Sequence, residues 1–551
     1  MSLTNLRAFC HRREKLLAVA AVILAIAIFA TICATQIGRW SVWFDESFTA
    51  YMIKFNFADI AKWTSFDVHP PLFYWLLKIW AAFFGHSDVA LRSFSVFCGG
   101  LVILLGFLLS RKLFGKKVGY LTLPLLAISP MLLRYGIEMR MYALAVVIVF
   151  AQILVLIKAR EVDSNSLRKW WVFYGVLLAA GMWTHYFTAL AVLAQWLWLY
   201  FGFREPNCRG KKLWRKLLGF RENSTTKWQD FLHGRQGNFL WSLVVAAVLF
   251  SPWLYFMVIQ LTTVQTAGFW IPPVSFTTLP DYISSIFLYQ TASAATSWLT
   301  FGLILLLIIL IILFAKTWRQ SQDDKPFREN LKLILFVIIA PPLLLIILSM
   351  PPLQSSFIDR YILASMILVT VLVTVIVARN LDFAKMWRAK VWPIFLYFMA
   401  VAAFVGGIFA VVHFGNYNKT TNTVSTAKQL MAQISAKTGD QTMPVIADTP
   451  WVFYDANVYA SQNNPVYFLN DQADSFYYGS LFMLRNAPEN IKNLDQFIAN
   501  MSGDKVWYIS SSGGAATPPK DARGWQKLRE IYAPSPFDGN TKTQAVEYLV
   551  K

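Results

Sequence analysis

Cysteine and charge are both scarce in this chain. Four cysteines stand at 10, 33, 98 and 208, none in the hydrophilic C-terminal segment and none at metal-site spacing. That pattern argues against a disulfide framework and against a cysteine-built metal centre. Charged residues make up 15% of 551 positions, and residues 262–296 hold no Lys or Arg at all. No internal repeat and no low-complexity tract is visible. With 56% hydrophobic residues and a mean hydropathy of +0.47, a soluble globular surface is excluded.

What is present in quantity is the apolar run of about twenty residues, the length a helix needs to cross a bilayer core of about 30 Å. Examples are Leu16–Ile37, Phe239–Leu261, Leu299–Phe314 with its flanks, Leu331–Ser349, Tyr361–Ala378 and Val391–His413. No water reaches that depth, so each run must satisfy its backbone internally as a helix. The first run is long and is followed by further spans, so it reads as an uncleaved helix and not as a signal peptide. The pattern predicts an all-α polytopic membrane protein with about eleven to thirteen spanning helices. Eleven are placed at 16–36, 88–109, 117–135, 138–157, 170–183, 185–203, 239–261, 296–315, 331–349, 360–378 and 391–413.

The net charge of +20 invites a nucleic-acid partner, but its distribution excludes one. Lys and Arg gather in short segments between apolar runs: 1–15, 110–118, 158–170, 204–238, 316–332 and 379–390 hold thirty of the fifty. Basic loops mark the cytoplasmic side. They put the N-terminus inside and, after an odd number of crossings, residues 415–551 outside. The basic stretch 204–238 reads as an inner loop with a short surface helix.

Two segments depart from simple weaving. Residues 37–87 form a first outer loop with amphipathic stretches Glu46–Phe57 and Ala58–Phe66 and an apolar stretch Pro71–Phe84, rich in Trp, Phe and Tyr. These read as helices lying at the membrane surface. From Asn416 the chain turns polar, with strand-like runs Met443–Ala447, Val466–Leu469 and Val506–Ser510 and a helical stretch Thr423–Lys437. This predicts a small extracytoplasmic α/β domain of about 130 residues, spanning 415–551, behind a membrane domain of 1–414.

Several polar residues stand where chemistry is expected. Asp45 and Glu46 are adjacent, just after the first span, among Trp43, Phe44 and Phe48. A carboxylate at an apolar membrane margin has a partner or a function. Neighbours on a helix point about 100° apart, so the two acids face different surroundings. One could meet substrate while the other binds metal or caps the helix; capping by both is the plainer reading for an isolated pair. His69 precedes Pro70 and Pro71, which favours an extended residue followed by a new helix. The free N–H groups of that helix start suit a phosphate, with Asp67 and His69 beside it to bind a metal or shuttle a proton. Arg134, the triplet Glu138–Met139–Arg140, His185 and the pair Asp359–Arg360 stand at outer ends of spans. Singly, each serves as an ion-pair partner or an end-of-helix anchor. Together, on one face with Asp45 and His69, they make a candidate site.

The strings FDES at 44–47, DVHPPLFYW at 67–75, EMRMYAL at 138–144 and DRYILAS at 359–365, in this order, resemble the bacterial glycosyltransferase family 39 group. That group includes protein O-mannosyltransferases and the aminoarabinose transferase that modifies lipid A. The resemblance covers roughly residues 10–410 and assigns nothing to the tail. It implies a GT-C fold in the cell membrane and a donor sugar on polyprenyl phosphate, which accounts for the lack of a nucleotide-binding loop. It also implies Asp45 as general base toward an extracytoplasmic acceptor, and Arg140 and Arg360 on the leaving phosphate. Glu46, Asp67, His69, Glu138 and His185 are the further candidates for substrate or metal. Relatives carry Lys or His at the position of His69, which leaves phosphate, a divalent metal or the acceptor open as its ligand.

A transporter or flippase of a lipid-linked sugar would carry mid-helix charges, broken helices at the midplane and repeated halves. The ionisable residues here lie at one face, without a repeat. A scaffold that merely presents the outer domain leaves the ordered Asp45, His69, Arg140 and Arg360 unexplained. A ligase or polymerase of longer lipid-linked glycans is the nearest enzymatic rival. The sequence names neither the sugar nor the acceptor.

Overall fold

The computed structural model describes residues 3–161, 167–201, 235–267, 271–288, 297–381, 391–414, 426–469, 481–501, 503–511, 522, 524–534 and 541–550. The inner loop expected at 204–238 therefore lies almost wholly outside the described residues. The chain divides into two compact units. One comprises Met1–Cys33, Ser95–Gly136 and Met141–His413; the other comprises Ala34–Phe94, Ile137–Arg140 and Phe414–Lys551. The second unit is larger than the tail alone, because the first outer loop and the 137–140 bend pack with it.

The first unit is helical. Its elements are α1 (Leu3–Gln36), α5 (Asp88–Phe114), α6 (Lys116–Ala127), α7 (Pro130–Gly136), α8 (Tyr142–Glu161), α9 (Leu167–Thr184), α10 (Thr188–Phe201), α11 (Arg235–Ala267), α12 (Thr278–Leu288), α13 (Ser297–Gln320), α14 (Lys325–Leu348), α15 (Leu363–Asn380) and α16 (Val391–Phe414); the ends of α1 and α5 run into the second unit. Among the described residues, seven helices are long and apolar enough to cross a membrane, or eight if the bent pair α6–α7 is one span. That is fewer than eleven, although every expected span is a helix. α10 has only 14 residues, short of the roughly 20 that a full crossing needs. The expected span 117–135 bends by 56°, with Pro124 inside α6 and Pro130 opening α7, since neither proline can donate to the helical ladder. The reversal from α5 into α6 turns on Gly115 at φ +90°, a conformation that side-chain-bearing residues rarely adopt. The span expected from 138 starts at Tyr142 instead, leaving Glu138–Arg140 in a bend. Burial separates the helices: 83% of the Asp359–Asn380 window is buried, against 22% for Asn238–Thr266 and Trp298–Gln320. α15 is thus central, packed on α6, α8, α13 and α14, while α11 and α13 present apolar faces outward, as helices facing lipid do. The protein is a multi-pass membrane protein.

In the second unit, the three stretches of the first loop form the helices α2 (Phe44–Met52), α3 (Phe57–Ser65) and α4 (Leu72–Phe84); α2 is shorter than the expected Glu46–Phe57 and is buried from Glu46 to Met52. Asn56 caps α3 by accepting from the Asp59 N–H at 2.8 Å. α4 follows Pro71 and stops at Gly85, φ +91°. The C-terminal part supplies α17 (Ala427–Thr438), β1 (Val445–Ala447), α18 (Pro450–Asn457), β2 (Val466–Leu469), β3 (Asn490–Ile491), α19 (Leu494–Ala499), β4 (Lys505–Ser511), β5 (Gln526–Pro534) and β6 (Thr541–Leu549). The sheet runs β3-β2-β1-β4-β6-β5, with β3, β2, β1 and β4 parallel and β6 antiparallel to both neighbours. Alternation puts Ile446, Val506, Tyr508, Val546 and Tyr548 into one core with Ile491 and Leu494. α2 packs on α18 through Phe44, whose ring lies edge-on 4.5 Å from Trp451 and 5.8 Å from Tyr454. Ser47 Oγ donates to Asp455 Oδ1 at 2.6 Å.

Candidate active site

α2 separates its two carboxylates as its periodicity requires. Glu46 is fully buried, whereas the Asp45 side chain keeps 21% of its exposure. Glu46 Oε1 accepts from Arg92 Nε at 2.8 Å and from the Met139 N–H at 2.9 Å; Oε2 accepts from Arg92 Nη2 at 2.6 Å and, longer, from the Trp43 N–H at 3.4 Å. Arg92 spends its remaining N–H groups on the carbonyls of Ile37, Trp40 and Ser41. The carboxylate thus ties the start of α2, the first turns of α5 and the 137–140 bend together. Arg92 was not singled out from sequence. Its signal was there: an arginine one turn into an apolar span needs a buried partner.

Arg140 stands on the other side of the same bend. Its Nη1 donates to Thr49 Oγ1 at 3.0 Å, Tyr74 Oη at 3.2 Å and the Asp45 carbonyl at 3.3 Å, and its Nε lies 4.0 Å from Asp45 Oδ2. Glu138 is buried and its carbonyl accepts from the Arg140 N–H at 2.7 Å. His69 Nδ1 lies 3.2 Å from Asp67 Oδ2 and 3.4 Å from Arg140 Nη2. Burial holds the His69 pKa below the ordinary value of 6.5; the Arg140 charge adds to this, while Asp67 and Asp45 oppose it. A neutral ring that donates from Nδ1 to Asp67 leaves Nε2 as an acceptor. Asp45, Glu46, Asp67, His69, Glu138 and Arg140 therefore form one constellation, with Thr49 and Tyr74 as members the sequence did not announce.

Among the described residues no three His, Cys, Asp or Glu side chains gather as metal ligands. The Asp67–His69 pair has a guanidinium 3.4 Å from the ring nitrogen, where a cation would be repelled.

His185 and Arg360 belong to the helical unit and form a second cluster. Arg360 follows Asp359 in the short 3₁₀ turn Asp359–Ile362 ahead of α15. Asp359 is held by Tyr135 Oη at 2.9 Å and Arg134 Nη1 at 3.4 Å. The Arg360 guanidinium lies 5.5 Å from the Tyr142 ring centre and 5.9 Å from that of Tyr361. His185 sits 4.7 Å from the Tyr361 ring, and Phe187 stacks on Tyr361 at 4.9 Å. From this aromatic group a narrow crevice continues along Ala145, Val146, Val149, Ala191 and Pro341. Its lining is mostly apolar and includes Arg360.

Comparison with known proteins agrees with this architecture. Residues 68–218 match the family model described as dolichyl-phosphate-mannose-protein mannosyltransferase. No curated protein sequence matches significantly. Among solved structures, apo ArnT from Cupriavidus metallidurans is similar with a TM-score of 0.59 at 14% identity, covering 96% of this chain and 98% of that one. The same protein bound to undecaprenyl phosphate gives 0.57, 14%, 96% and 97%. The apo oligosaccharyltransferase of Archaeoglobus fulgidus gives 0.50 at 12% identity, over 90% of this chain and 69% of that one. The chain thus shares a GT-C fold with these structures along nearly its whole length, and the stretch that carries His69 and Arg140 is similar to the dolichyl-phosphate-mannose-protein mannosyltransferase family.

Proposed function

We propose that this enzyme transfers a sugar from a polyprenyl-phosphate donor to a hydroxyl of an extracytoplasmic acceptor, with Asp45 as general base. The observation that carries the reading is the difference between the two acids of α2: Glu46 is fully buried against Arg92, while the Asp45 side chain is 21% exposed and lies 4.0 Å from Arg140. The acceptor oxygen attacks the anomeric carbon as Asp45 takes its proton; the bond from that carbon to the phosphate oxygen breaks, and polyprenyl phosphate leaves. A base so placed contributes about 10²–10⁴-fold. Arg360 beside the apolar Val146, Val149 and Ala191 supports the donor assignment, since an isoprenoid phosphate needs apolar surroundings for its tail and a cation for its phosphate. Undecaprenyl phosphate in the similar ArnT structure agrees with this. Arg140 and Arg360 take the roles of phosphate ligands, Glu46 that of a scaffold ion pair, and Asp67 that of orienting His69. The N-terminus is cytoplasmic and the α/β domain outside.

The test is transfer by purified protein in lipid discs, offered a panel of polyprenyl-phosphate monosaccharides and, in parallel, nucleotide sugars. Mass spectrometry of the lipid that copurifies supports the reading if it finds a polyprenyl-phosphate sugar. Turnover with nucleotide sugars alone would overturn it.

A further inference from the structure

On the side of α2 away from Asp45, the second unit encloses a cavity of about 460 Å³ whose lining includes Ser47, Tyr51, Lys54, Lys78, His86 and Asn457. Helical spacing accounts for the separation: Asp45 and Thr49 share one face, Ser47, Ala50 and Tyr51 the other. Two ammonium groups and an imidazole line the cavity, and no carboxylate is among its lining residues. Two carboxylates stand behind the lining: Asp455 accepts from Ser47 Oγ at 2.6 Å and Glu489 from Tyr51 Oη at 3.1 Å. Among the described residues, Lys54, Lys78 and His86 make no ion pair within 4.0 Å. Lys78 Nζ donates to the Ile53 carbonyl at 3.0 Å, and Lys54 Nζ bonds Asn457 Oδ1 and lies 5.0 Å from the Tyr51 ring. Each ammonium keeps donors for a ligand, since it has three. The volume falls within the usual range of small-molecule sites, about 300–1,000 Å³.

The flank of the cavity is apolar and exposed. α4 carries Lys78 and presents Ile79, Phe83 and Phe84 outward, with Phe83 at 80% and Phe84 at 59% exposure, two residues before His86. A helix with bare phenylalanines on its surface beside a lysine-lined cavity has the composition of a membrane-surface element, and lysine serves phosphate as a compact point charge. We infer that this cavity binds the phosphate headgroup of an anionic membrane phospholipid, at a site distinct from the Asp45 constellation and from the donor crevice. A headgroup held there bears on Ser47, Ala50 and Tyr51, and so on the helix whose other face carries Asp45.

The inference goes beyond the proposed reaction, and its test does not depend on turnover. Full-length protein is placed in discs of phosphatidylcholine with a minor fraction of phosphatidylglycerol, and the lipid retained on the protein is read by native mass spectrometry. Wild type should retain phosphatidylglycerol at least tenfold above its share of the disc. Lys54→Gln/Lys78→Gln should abolish most of that preference, Lys54→Arg should keep it, and the distant surface change Lys527→Gln should leave it intact. Millimolar inorganic phosphate should not displace the lipid. His86→Gln, at an exposed position, provides a second reading if the double variant folds poorly, and should weaken retention severalfold. Undiminished preference in a double variant of normal thermal stability would overturn the assignment. So would displacement of the lipid by inorganic phosphate, which would give the site to a soluble phosphate-bearing ligand.

Discussion

Arg92 closes on Glu46 as two parallel charge-assisted bonds, Nε to Oε1 at 2.8 Å and Nη2 to Oε2 at 2.6 Å, with neither side chain open to solvent. Removing one member of a buried pair leaves the other charged and uncompensated, at a cost of about 3–5 kcal/mol. Arg92→Ala, and to a lesser degree Glu46→Gln, should therefore lower the unfolding midpoint and the yield of folded protein. Thermal unfolding in detergent or discs measures this. A normal midpoint combined with selective loss of transfer would move Glu46 from scaffold to chemistry.

Asp45→Asn keeps shape and hydrogen-bonding capacity but removes the carboxylate. Transfer should fall by about 10² or more, with donor affinity and unfolding midpoint close to wild type. Near-normal turnover by this variant would end the general-base assignment and hand it to Glu46 or His69.

The two arginines separate by what else they hold. Arg360 faces the Tyr142 and Tyr361 rings beside the crevice, so Arg360→Ala should raise the donor KM about tenfold or more, the value of one charge-assisted contact of about 1.5–3 kcal/mol. Arg140 also bonds Thr49 and Tyr74. Arg140→Ala should then lose stability as well as donor affinity, and Arg140→Lys should restore charge without the two-pronged geometry. Donor titrations with unfolding curves distinguish the two, and unchanged donor affinity in both alanine variants would reassign them as structural partners.

His69 carries a pH signature. Its folded pKa lies below 6.5, chiefly through burial, so the unfolded chain takes up the proton first as pH falls. The stability tied to the neutral ring is complete above about pH 6.5 and is lost as pH falls from there toward the folded value. The unfolding midpoint should drop as pH falls below about 6.5, and His69→Gln should flatten that drop. An equal slope in the variant would remove His69 as its source.

Orientation is open to a direct reading. Reporter fusions at Gly219 and Gly503 should land on opposite sides of the membrane, the first cytoplasmic. Both reporting the cytoplasm would remove the outer placement of Asp45.

Much of the site was legible because its members are costly where they stand. Asp45, His69, Arg140 and Arg360 are ionisable residues at the margins of apolar runs, and short strings carry them. The sequence signalled that Arg92 needs a partner but not which one, and Tyr74 carried no signal, because their partners lie 46 and 66 positions away in the chain. The tail shows the same division. β1, β2 and β4 are compact apolar runs and were found, whereas β5 carries Lys527, Arg529 and Glu530 and hides its pairing with β6 among polar residues. α12 was missed because its 11 residues sit inside a loop too short of apolar length to suggest a span.

By itself the sequence determined the membrane class, the helices of the first loop, the α/β tail and the order of the acids and bases along the chain. It could do so because twenty apolar residues in lipid have no alternative to a helix and because short strings record local chemistry. Only the tertiary structure decided that Glu46 is spent on Arg92 while Asp45 keeps part of its side chain exposed, that Arg140 lies against the Asp67–His69 pair, and that the first loop packs with the tail. Those outcomes depend on which distant side chains share a few ångströms of buried space, and neither periodicity nor composition carries that distance.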